Sequence, residues 1–268
     1  MRDVKAILTL LAAAFLTSCS TLTVPGQGDT VAGPDRAAAL LERSAKATGD
    51  AWSRYRKVTV CFDGEWGSIV KRLQPELVDD RFRKTSVETY DTRRGTVVQQ
   101  HRGPDGAKTV ERSRSDVVVT YNGERIGDEP RRDASALVAD AYTAFLLGTS
   151  WLKEKGEDLS VIGTDTIDGE VCDGVQGTLR PGLGFSEEDR FIAWIGRDSG
   201  LMRRFQFTIE GLASTRGADV DVTFSEFWKA ADGSVWPGRF LEWVHRPVFV
   251  MAHEWTMTGL EVDGRKLR

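Results

Sequence analysis

The residues equipped for chemistry are few. Three histidines occur in 268 residues, and His245 and His253 fall on neighbouring strand candidates with Glu242 and Glu254. These could meet in space, but a metal site would need a third or fourth ligand that cannot be nominated from the sequence. His253-Glu254 also lacks the second histidine four residues on that a zincin helix requires. The two histidines read as surface or rim residues. Asp63 with Glu65, and Glu187, Glu188 and Asp189, are carboxylates of the kind used in acid–base work. All sit in turn-like sequence, where they read as solvated. No G-x-S-x-G elbow and no phosphate-binding glycine loop occurs. Cys61 and Cys172 belong to no C-x-x-C pair and have no histidine nearby. The expectation is a protein that is not an enzyme, with no catalytic residue, metal or cofactor.

Aromatic residues are more suggestive. Eight tryptophans against four tyrosines is an unusual ratio, and Trp194, Trp228, Trp236, Trp243 and Trp255 all fall in the C-terminal strands. They suit either a bulky core between sheet and helix or an apolar chamber for an acyl chain or other lipophile. In "RFLEWVH", Phe240 and Val244 take one face while Leu241 and Trp243 take the other. A strand apolar on both sides needs cover on both sides. The run Val248, Phe249, Val250 and Met251 suits a cavity rim or a membrane-facing loop.

The elements that must position these residues follow from periodicity. Ala37, Leu40, Leu41, Ser44, Ala45 and Thr48 recur at helical spacing after Pro34 and Asp35, and Gly49 is placed to stop the helix. From residue 57 the period becomes two: "KVTVCFDGEW", "FRKTSVETYD", "GTVVQQHRG", "AKTVERS" and "DVVVTYNGE" read as an antiparallel meander. A second helix, capped by Asp133, carries Leu137, Val138, Ala141, Tyr142, Phe145 and Leu146 as a stripe ending near Gly148. Later, Phe205, Phe207 and Ile209 oppose Arg204, Gln206, Thr208 and Glu210, while Val220, Val222 and Phe224 oppose Asp219, Asp221, Thr223 and Ser225. Such alternation predicts a sheet with one wet and one apolar face. Hydrophobic residues make up 40% and charged residues 28%, with net charge -4; the balance fits a soluble domain with a real core and gives no argument for a nucleic-acid partner.

The first residues follow the order of an export signal: Arg2 and Lys5, an apolar run from Ala6 to Leu16, then small residues. As a helix that run is about 16 Å long, half of what spans a bilayer. Leu16-Thr17-Ser18-Cys19 resembles the lipobox of bacterial lipoproteins. The resemblance implies a signal peptide over residues 1–18, acylation of Cys19 by palmitate-type chains, and a membrane partner reached through that anchor. Ser20, rather than Asp, implies delivery to the outer membrane, facing the periplasm. Residues 19–33, rich in glycine and polar groups, read as a flexible tether. Export places Cys61 and Cys172 in an oxidising compartment, where the expectation is a disulfide; two free buried thiols are the alternative.

Residues 34–268 then form one domain: α+β, a single curved antiparallel sheet in a half-open barrel, covered by two main helices. Together with "DRFIAWIGRDSGLMRRFQFTIEG" and "DVTFSEFWKAADGSVWPGRF", that pattern resembles the Lol-type (LolA/LolB-like) lipoprotein carriers. The resemblance implies a non-catalytic carrier or sensor of lipid, acyl chain or lipoprotein cargo. Leu137, Val138, Tyr142, Phe145, Phe205, Phe207, Val220, Val222 and Phe224 are expected to line its interior. The alternative function is an interaction lipoprotein that docks a partner by strand addition at a sheet edge.

Overall fold

The structure, a computed structural model, describes residues 23–268; the expected signal peptide and Cys19 lie outside the described residues. Helix α1 (Pro34–Thr48) ends on Gly49 at φ 89°, a left-handed cap that glycine adopts without a Cβ clash. A short α2 (Ala51–Arg54) leads into β1 (Lys57–Trp66), followed by α3 (Ser68–Leu73) and α4 (Pro75–Val78). The meander comprises β2 (Thr85–Asp91), β3 (Thr96–Gly103), β4 (Gly106–Arg112), β5 (Val117–Tyr121) and β6 (Glu124–Arg125). Helix α5 (Glu129–Lys155) follows, and then β7 (Gly156–Ile167), β8 (Glu170–Leu179), β9 (Asp189–Gly196), β10 (Met202–Ile209) and β11 (Ala218–Ser225). A small hairpin, β12 (Trp228–Lys229) and β13 (Val235–Trp236), precedes β14 (Arg239–Arg246), β15 (Val250–Val262) and β16 (Arg265–Lys266).

Apart from β12 and β13, the strands form one 14-stranded sheet in the order β6-β5-β4-β3-β2-β1-β15-β14-β11-β10-β9-β8-β7, with β16 on β15. All pairings are antiparallel, and the end strands β6 and β7 do not pair with each other. This is the expected α+β half-open barrel, a curved sheet with α1 and α5 as its main helices. Val58, Val60, Phe62, Phe205, Phe207, Val220, Val222 and Trp255 point from the sheet into the core shared with α1 and α5.

Helix α5 begins earlier than the apolar stripe suggests. Asp128, not Asp133, caps it, its carboxylate accepting from the Arg131 amide at 3.3 Å. Its course is interrupted at Gly148 (φ 52°, ψ -134°) and resumes to Lys155. The two flanks of the sheet are tied across α5 by a polar cluster. Arg112 on β4 meets Asp140 on α5 at 2.8 Å and donates to the Gly184 carbonyl at 2.6 Å; the Gly184 amide donates back to Asp140 at 2.9 Å.

Two expectations are corrected. Cys61 and Cys172 are free thiols, because β1 and β8 are separated by β15, β14, β11, β10 and β9. Six inter-strand steps are about 29 Å along the sheet, whereas bridged cysteines need Cα atoms within about 7 Å. Cys172 packs instead with Ile167, Ile192 and Trp194 in a small cluster apart from the main core. The wet face of β10 and the tether are corrected together. Val31 and Ala32 pair with Val161 on β7, Gln176 donates to the Gly28 carbonyl at 3.3 Å, and Gln206 donates to that of Thr23 at 3.2 Å. The chain from residue 23 thus lies along the sheet, and Arg204, Gln206 and Thr208 are buried.

Candidate functional site

A largely apolar cavity of about 350 Å³ lies between α5 and the sheet. The sequence builds it from about one and a half turns of α5 and from five strands. Leu137, Val138, Ala141 and Tyr142 come from α5, Phe207 and Ile209 from β10, and Ala218 and Val220 from β11. Strands β14 and β15 add Glu242, Val244, Val250, Ala252 and His253, and Trp66 closes the end of β1. Val70, Leu73 and Leu77, from α3 and α4, and the segments around Thr215 and Val248 complete the walls. Among its lining residues, Leu73 and Val248 are more than half exposed, so the hollow opens to solvent past branched apolar groups. For scale, an apolar void of about 150 Å³ holds benzene, so this one suits on the order of a dozen carbons.

Of the nine lining residues expected, Leu137, Val138, Tyr142, Phe207 and Val220 face this cavity. The other four do not. Phe145, Phe205, Val222 and Phe224 are packed in the core, where Phe145 contacts Phe205 edge-on at a centroid distance of 6.4 Å and Phe224 at 6.3 Å. The tryptophans also divide: Trp236 and Trp255 are core, Trp194 is in the outer cluster, and Trp243 stacks on Phe249 at 4.9 Å. Trp66, not among those singled out, lines the cavity.

One end of the cavity is polar. Glu242 and His253 are directly opposed on β14 and β15, and His253 is opposed to Trp66 on β1, so the three share one row and one face. Glu242 Oε2 lies 3.0 Å from His253 Nδ1, off the line of a good hydrogen bond. His253 Nε2 is 3.2 Å from the Tyr142 hydroxyl, which accepts from Arg83 at 2.9 Å. Arg83, 2% exposed, also donates to the Leu77 carbonyl and lies over the Trp66 and Tyr142 rings. Burial pushes the Glu242 carboxyl up to about 8, although the Arg83 charge pulls the other way. Burial, with Arg83 nearby, holds His253 well below its ordinary value. At neutral pH the carboxyl is therefore protonated and the imidazole neutral.

Of the quartet of His245, His253, Glu242 and Glu254, the structure joins only Glu242 and His253, and buries them rather than leaving them at a rim. His245 faces Asp221 at 3.6 Å, and Glu254 pairs with Arg239 at 2.8 Å. Asp63 and Glu65 are exposed partners of Lys84. Asp189, expected in solvent, is buried: it accepts from the Leu183 and Glu210 amides and from Thr208, and burial raises it to about 6. Among the described residues no group of three or more His, Cys, Asp or Glu is placed to hold a metal ion, and no helix is long and apolar enough to cross a membrane.

The open antiparallel half-barrel is similar in fold to solved structures. The chain is similar to a LolA-superfamily protein from Nitrosomonas europaea, with 11% identity over 87% of this chain and 93% of that one and a TM-score of 0.50. It is equally similar to a DUF1329-family protein from Desulfovibrio piger, with 15% identity over 85% and 92% of the two chains and a TM-score of 0.50. At these identities the likeness is one of fold. No family model matches the sequence, and no curated protein matches it.

Proposed function

We propose that this protein is a lipid-anchored lipoprotein of the cell envelope, held at the outer membrane and facing the periplasm. It binds a hydrophobic ligand, a lipid or acyl chain, as a carrier or sensor without catalysis. The observation that carries the reading is the apolar cavity of about 350 Å³ whose lining includes the exposed Leu73 and Val248. Burying a dozen carbons at about 0.8 kcal/mol each gives about 10 kcal/mol. Even after an association cost of about 4 kcal/mol or more, binding on the order of tens of micromolar is within reach. The lipobox resemblance at Cys19 supports the anchor.

Docking by strand addition has less support. The edge strand β6 has two residues, and β7 is partly occupied by Ala32 and carries Glu157, Asp158 and Asp165; short or charged edges resist pairing. Native mass spectrometry of protein purified from membranes tests the ligand: a co-purifying lipid is expected, and its repeated absence removes the reading. Labelling with radioactive fatty acid tests the anchor, with incorporation expected in the wild type and lost in Cys19→Ala; label retained by the variant overturns acylation at that residue.

A further inference from the structure

The polar end of the cavity is more elaborate than a hydrocarbon requires, and its hydrogen bonds run in one direction. A guanidinium only donates, so the Tyr142 oxygen accepts from Arg83. The Tyr142 hydroxyl proton is then directed to His253 Nε2, 3.2 Å away. That leaves the neutral imidazole with its proton on Nδ1, facing Glu242 Oε2 at 3.0 Å. That contact is off the line of a good hydrogen bond, and Nδ1 has no other partner. Glu242 lines the cavity with its side chain 12% accessible, and its carboxyl makes no well-aligned protein hydrogen bond. The carboxyl keeps its proton at neutral pH, so the open valence is a donor. In the same row, on the far side of His253, the buried indole N–H of Trp66 has no acceptor. A donor left without a partner is costly, and open donors at one end of a cavity define what is missing: an acceptor.

We propose that the cavity is built for a single-chain amphiphile whose head is an acyl carbonyl, seated against Glu242, His253 and Trp66 with the chain running along α5. The proposal rests on the ligand-binding reading above and names the class of ligand. An acyl carbonyl or carboxylate head supplies the acceptor lone pairs that this end of the cavity lacks. A cationic head fits badly, because it offers no acceptor and brings a second positive charge beside Arg83. The carbonyl's source is either a free fatty acid or an acyl ester.

The test uses delipidated protein and calorimetric titration at neutral pH with dodecanoic acid, methyl dodecanoate and dodecyltrimethylammonium. The acid and the ester are expected to bind at least tenfold more tightly than the ammonium, and the tighter of the two identifies the source. Glu242→Leu is expected to weaken the acid and the ester about tenfold, and Glu242→Gln, which restores a donor, to recover most of that loss. Trp66→Phe, which keeps the ring and removes the N–H, is expected to weaken them several-fold and leave the ammonium unchanged. Equal affinity for all three heads, or variants without effect, overturns the carbonyl head while the apolar chamber stands. Binding of none of the three overturns the chamber and the head together. Should Glu242→Leu not fold, the wild-type series and Trp66→Phe decide.

Discussion

Glu242 keeps its proton in the folded protein up to about pH 8, whereas a carboxyl in the unfolded chain titrates near 4.5. Between those values the unfolded state holds fewer protons, so this group's contribution to stability is complete below about pH 4.5 and is lost as pH rises through 8. His101 and His253, both held well below 6.5 by burial, act in the opposite sense at lower pH and fall silent above it. Thermal melts from pH 6.5 to 9 are therefore expected to show the wild type losing stability relative to Glu242→Gln; parallel profiles would contradict the buried, protonated carboxyl. At Cys61 and Cys172, thiol titration of the unreduced, denatured chain lacking residues 1–22 is expected to count two free thiols. How far these residues were legible differs. Glu242 stands between Phe240 and Val244 in a strand of period two, so its inward placement follows from alternation alone. Its union with His253 does not, because a register shift between Glu242 and Trp243 decides which β15 residue it meets. Trp66 was missed because its role depends on being third in a row across three strands distant in sequence.

Secondary structure was the most readable layer. Helix α1 was delimited by Pro34 and Gly49, and β1 and β3 by their alternation, because caps and period two are local signals. The course of α5 was not, since the stripe ends where Gly148 bends the helix rather than where the helix stops. The backbone there, φ 52° and ψ -134°, is one that residues with a Cβ rarely adopt. Gly148→Ala is expected to cost about 1–3 kcal/mol, lowering the melting temperature by several degrees in a domain of this size. Since a Cβ there meets only Met202 Cε at 3.4 Å, steric crowding adds little, and an unchanged melting point would argue against the kink. The polar face of β10 was misread for a related reason. Alternation tells which face a residue takes, and cannot tell that residues 23–33 return to cover it.

At the scale of the whole molecule, a 14-stranded sheet curls around α5 without joining its ends. Composition and the succession of elements were enough to anticipate that architecture; its closure was invisible, because it depends on side chains far apart in sequence. Arg112, Asp140 and Gly184 belong to β4, to α5 and to the connection between β8 and β9. Replacing Arg112 by methionine removes the shared donor and leaves the Asp140 carboxyl, already raised by burial, without its charge partner. Faster amide exchange is expected in both flanks, β3–β5 and the 180–188 connection, with β1 and β15 unaffected; a change confined to one flank would refute a link between them. A barrel welded by backbone pairing has a circumference set by its strand ladder. Here the two flanks meet through a buckle of three residues, so their separation is set by side chains and one loop rather than by strand pairing.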